Sequence, residues 1–173
     1  MRIRSLALFL LGFSFMFTSC ELEDFLPADQ ETAAEAEATP EGMSQMLSLV
    51  NELRSEGCRC GSKYMPPVAP LSWDADLERA ALRHAYDMKS NDFFDHTGSD
   101  GTDVSDRVSD AGYSWQAVGE NIAWGYRDIQ SVFAGWRDSP GHCRNMMNGN
   151  FRQMGSARVG NYWVQAFARP RSS

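Results

Sequence analysis

The sequence predicts a mixed α+β fold built as one domain, and three observations carry that expectation. Four separate stretches place apolar residues at helical spacing. Two apolar alternations lie side by side near the C-terminus, divided by Gly160-Asn161. Helices come early and strands late, the pattern of an α+β chain rather than of repeated βαβ units. A length of 173 residues suits a single core.

In chain order, the first feature is a targeting segment. Arg2 and Arg4 precede an apolar run from Leu6 to Phe17, whose twelve residues fall short of the roughly 20 that cross a bilayer as a helix. The run therefore reads as the core of an export signal over residues 1–19. It ends in Phe17-Thr18-Ser19-Cys20, which resembles a bacterial lipobox with Phe17 where leucine is usual. Cys20 is thus the expected lipidation site and the link to a membrane. Cleavage leaves fourteen basic against twenty-three acidic residues, a charge of −9. Such a balance offers no basic stripe for phosphates, so a nucleic-acid partner is not expected. Residues 20–41 are acidic and rich in alanine, with no lysine or arginine, and are expected to be a disordered tether. The expected location is the bacterial envelope, periplasmic or at the cell surface, as an anchored monomer.

The folded domain is expected over residues 42–170. Pro40 suits the first turn of a helix carrying Met43, Met46, Leu47 and Val50, and Gly57 stops it. Residues 58–70 hold Cys58-Arg59-Cys60-Gly61 and three prolines, and read as an extended surface loop. Asp74, Asp76 and Glu78 then open a second helix with a stripe of Leu77, Ala80, Ala81, His84, Ala85 and Met88. His84, on this small apolar face, reads as a packed residue with one hydrogen bond. Phe93 and Phe94 are expected to dock the helix end, with His96 following in a polar loop. Val104–Ala111 reads as a short helix. Trp115–Ala123 reads as a strand that leads into a turn at Gly119-Glu120-Asn121-Ile122-Ala123. Asp128 caps a helix through Trp136, and Ser139-Pro140 starts another, which puts His142 in its first turn. The positive end of a helix disfavours imidazolium, so His142 is expected to be neutral. Strands over Gln153–Val159 and Tyr162–Ala168 close the domain as a hairpin.

The segment Gly119–Ala123, the spacing Trp136-x-x-Ser139-Pro140-Gly141-His142 and the upstream Phe94-x-His96 resemble the CAP superfamily, in its short bacterial branch. The resemblance extends back to about Met43. It implies a three-layer α-β-α sandwich around a small antiparallel sheet. It also implies a cleft holding His96, Glu120 and His142. The family's second acid falls on Ser139 here, and a shift of one residue turns Asp138 by about 100° on a helix, so a triad is expected rather than a tetrad. Two histidines and a carboxylate are also the ligand set of an open zinc site, with His96 and His142 as nitrogen ligands. The spacing lends that no independent support, and a buried hydrogen-bonded cluster explains the same residues.

Three cysteines remain after Cys20. A Cys58–Cys60 bridge would close a strained ring, whereas a bridge to Cys143 spans more than eighty residues and is worth up to about 4 kcal/mol in the chain-entropy model. Cys60 is the expected partner of Cys143 because Gly61 frees its backbone, with Cys58 as the alternative. For function, a module that binds a lipid or protein ligand in the cleft is expected. A metal-dependent hydrolase with Glu120 as general base, and a structural or adhesive surface domain, are the alternatives.

Overall fold

A computed structural model describes residues 40–172. The export segment 1–19, Cys20 and the tether up to residue 39 lie outside the described residues. Helix α1 (Pro40–Glu56) begins at the expected proline and stops at Gly57, whose φ of 73° is the left-handed turn that glycine adopts without strain. The stretch after it is not wholly a loop. β1 (Cys58–Cys60) and β2 (Lys63–Met65) form an antiparallel hairpin of three residues a side, too short for an alternation to be visible in the sequence. The two-residue β3 (Ser72–Trp73) leads into α2 (Ala75–Asn91), which the Asp74 carboxylate caps at 2.9 and 3.2 Å. Then follow α3 (Val104–Asp110), β4 (Trp115–Trp124), α4 (Ile129–Asp138), α5 (Pro140–Met146), β5 (Gln153–Val159) and β6 (Tyr162–Pro170).

The main sheet has the order β3-β5-β6-β4 and is antiparallel except where β3 meets β5. Successive side chains of a strand point to opposite faces, and β6 divides its residues accordingly. Trp163 and Phe167 join Met46, Val50, Trp136 and Met146 in one core, while Val164, Ala166 and Ala168 join Leu77, Ala81, Ala85 and Val108 in the other. Helices α1, α4 and α5 cover the first face and α2 and α3 the second. This is the three-layer α-β-α sandwich. No helix among the described residues is long and apolar enough to cross a membrane. The disulfide joins Cys60 to Cys143 with 5.4 Å between Cα atoms, and Cys58 keeps its thiol. It ties the β1–β2 hairpin to α5.

Candidate functional site

β4 lies at the sheet edge, between the two helical layers, and the segment Gly119–Ala123 belongs to this strand rather than to a turn. Its bend comes later, at Gly125. Gly119 is needed for another reason: a Cβ there would sit 2.7 Å from Phe151 Cζ, so only glycine lets the ring lie on the strand. The pleat sends Glu120 toward α2 and α3, and Asn121 toward α5.

Glu120 has a side chain only 3% exposed, and its two oxygens serve different partners. Oε1 accepts from His96 Nδ1 at 2.7 Å, and Oε2 accepts from Arg107 Nη2 at 2.8 Å. Arg107 also donates to the carbonyls of Thr102 and His96, at 2.7 and 3.0 Å. With Oε2 of Glu120 taken by the Arg107 guanidinium, Oε1 accepts the His96 Nδ1 proton, and Nε2 of His96 is left to face a ligand. The Glu120 bond holds the His96 imidazole above its ordinary pKa, against the opposing effect of burial. His84, fully buried, donates from Nε2 to the Asp95 carbonyl at 2.9 Å and stands 3.9 Å from Glu120 Oε1. Burial lowers its pKa and keeps it neutral.

On the other face Asn121 donates to Gln165 Oε1 at 3.0 Å and to the His142 carbonyl at 3.3 Å. Asn145 of α5 donates to the Glu120 carbonyl and to Asn121 Oδ1, both at 2.9 Å. A buried amide network therefore fixes α5, and with it His142, against β4. His142 lies below its ordinary pKa, as expected of it, but the causes are burial first and the neighbouring His96 second.

His96, Ser139 and His142 open on a cleft of about 440 Å³. Its apolar wall includes Phe94, Trp124, Tyr126 and Trp136, with Trp136 Nε1 bonded to the Ile122 carbonyl at 3.2 Å. Phe94 was expected to dock the helix end. Only Phe93 does so, and Phe94 stands 52% exposed on the rim. Ser139 occupies the N-cap position of α5 with no capping bond from its hydroxyl, and Asp138 points away, paired with Arg137. Glu120 is not on the cleft wall; it lies behind His96 with both oxygens engaged. A general-base role for Glu120 would have to act through His96.

That geometry also bears on zinc. The cleft offers a metal His96 Nε2 and a His142 nitrogen, while Glu120 is committed to Arg107 and His96. This is one protein ligand short of an open zinc site. Among the described residues, the three donors that lie within 4.8 Å of one another are Cys58, Cys60 and Cys143.

Arg107 is the residue of the site that sequence reasoning left out, whereas His84 is the packed residue with one hydrogen bond that its helix stripe implied. A signal for Arg107 existed: Val104, Arg107, Val108 and Ala111 share one helical stripe, and a charge on such a stripe must be paired.

Residues 47–167 match the model of the cysteine-rich secretory protein family, CAP. The chain belongs to this family. The chain is 31% identical over 147 residues to the Bacillus subtilis protein YkwD, a match covering 81% of this chain and 57% of that protein. A crystal structure of an extracellular protein containing a SCP domain from Bacillus anthracis superimposes with a TM-score of 0.67 at 29% identity, over 75% of this chain and 40% of that one. An outer surface protein of Borrelia burgdorferi shares the CAP fold at a TM-score of 0.67 and 23% identity, over 79% of this chain and 98% of its own. The chain thus spans little more than half the length of YkwD.

Proposed function

We propose that this CAP domain is an exported, membrane-anchored binding module whose cleft takes an amphipathic, lipid-like ligand. The cleft itself carries the reading: about 440 Å³ with apolar walls and a few polar groups, His96 Nε2, Ser139 and His142, with Asp95 beside His96. Ligand sites combine a mostly apolar lining with a few placed polar groups. Trp124 and Phe94, 57% and 52% exposed, form a rim that water does not favour. An apolar body would lie against them, with a polar head at the imidazoles. What supports binding over hydrolysis is that Glu120 is held between Arg107 and His96, so its carboxylate does not meet a substrate.

The test is displacement of a fluorescent fatty acid by a graded set of amphiphiles. Trp124→Ala should weaken binding at least tenfold while the far-UV dichroism stays unchanged. No saturable binding of the probe, or equal binding by Trp124→Ala, would overturn the reading.

The envelope location is supported by the export segment, by Cys20, and by the extracellular and outer-surface relatives. Cys20→Ser should move the cleaved protein from the membrane to the soluble fraction, since a twelve-residue apolar run cannot hold it. Membrane retention of the cleaved variant would remove the anchor.

A further inference from the structure

Cys58 and Cys60 stand two apart on β1, so both sulfurs leave the strand on one face. That face meets Cys143 on α5. Cys60 is bonded to Cys143, and the Cys58 thiol packs against the bridge, with its Sγ 3.6 Å from Cys143 Sγ and 3.8 Å from Cys60 Sγ. A tetrahedral zinc–thiolate site with bonds of about 2.3 Å sets its sulfurs about 3.8 Å apart. Two of the three sulfur–sulfur edges are therefore already at the length such a site requires. The third is the disulfide, and side-chain rotation alone can lengthen it once the bond is cut.

We infer that Cys58, Cys60 and Cys143 form a redox-gated site for a soft, thiolate-preferring metal ion such as zinc. The site is shut while the Cys60–Cys143 bond exists and opens when that bond is reduced. A protein dithiol is the reductant. Its two thiols become a disulfide, and the two electrons and two protons they lose turn Cys60 and Cys143 into thiols. The metal ion then replaces up to three thiol protons, which pass to solvent, with no further change of oxidation state. Cys58 is half-buried rather than enclosed, so the fourth position on the ion opens toward solvent for a water ligand. Soft sulfur donors select zinc or copper(I) over magnesium or calcium. The three sulfurs are separate from the imidazole cleft, although Cys143 follows His142 on the same helix.

Cobalt(II) is the probe, because thiolate ligation gives a sulfur-to-metal charge-transfer band that imidazole and carboxylate do not. The full chain, reduced with a phosphine under argon, should develop the band and carry one cobalt in native mass spectrometry. The oxidised chain should not. Cys58→Ser should bind cobalt at least tenfold more weakly when reduced, while still forming Cys60–Cys143 when oxidised. His96→Ala/His142→Ala should keep the band, which separates this site from the cleft. Absence of the band in reduced wild type, or equal affinity in Cys58→Ser, would overturn the inference. So would a reduced chain that far-UV dichroism shows unfolded and that cobalt does not refold.

Discussion

Arg107 bonds Glu120 and two loop carbonyls with one guanidinium, and both it and Glu120 are buried. Removing one partner of a buried pair costs about 3–5 kcal/mol, because the other charge is stranded. Arg107→Leu should therefore destabilise the protein by about that much in urea unfolding, and a loss below about 1 kcal/mol would mean that Glu120 is solvated. The histidines titrate in opposite senses. His96 is raised in the folded state, so its contribution is present below the unfolded value of about 6.5 and is lost as pH rises through the folded value. His84 and His142 are lowered, so each costs stability as pH falls through about 6.5 toward its folded value. In an NMR titration His96 should show the highest midpoint, and Glu120→Gln should bring it back toward 6.5. A His96 midpoint at or below that of His142 would contradict the Glu120 bond. Residue chemistry was partly legible from the chain. His96, Glu120 and His142 come from motifs, whereas the bond that turns Glu120 away from the cleft depends on a helix facing it, which no local spacing reveals.

At the scale of elements, the long amphipathic segments were readable and the short ones were not. α2 follows from a six-position stripe and three early acids, of which the first, Asp74, proves to be the cap rather than a residue of the first turn. β1, β2 and β3 have two or three residues each, and tertiary packing rather than local preference makes them strands. The glycines misled in one place, since Gly119 marks a close approach of Phe151 rather than a turn. Gly135 plays a similar part on α4, where a Cβ would collide with the Tyr126 hydroxyl at the cleft. Gly135→Ala gains about 1 kcal/mol of helix preference and loses about 1–3 kcal/mol to overpacking. The variant should be neutral to mildly destabilised in a thermal melt. Its cleft should bind the fatty-acid probe several-fold more weakly, because Tyr126 must swing aside. A clear rise in melting temperature with unchanged binding would show that Tyr126 does not pack there.

At the scale of the molecule, α+β was legible because two apolar stretches, now β5 and β6, meet at Gly160-Asn161 late in the chain. The layering needed the pleat of β6, which sends Trp163 and Phe167 one way and Val164, Ala166 and Ala168 the other. The sandwich also treats the two sides of the cleft unequally. A seven-residue helix is too short to persist alone, yet α5 is gripped along its whole length. Cys143 ties it to β1, Asn145 to β4, and the buried Arg54 donates to the Met146 and Asn148 carbonyls at 2.6 and 3.1 Å. The stretch bearing His96 is mostly surface and is held by noncovalent side-chain bonds: Arg107 to the Thr102 and His96 carbonyls, His84 to the Asp95 carbonyl, Asp87 to Ser99 and Arg83 to Asp100. The cleft is in effect a vice with one welded jaw and one sprung jaw, and a guest too wide for it would enter by lifting the His96 side. Hydrogen exchange should then find the Cys143 and Met147 amides at least tenfold slower than those of Gly98 and Gly101, with guest binding slowing only the latter pair.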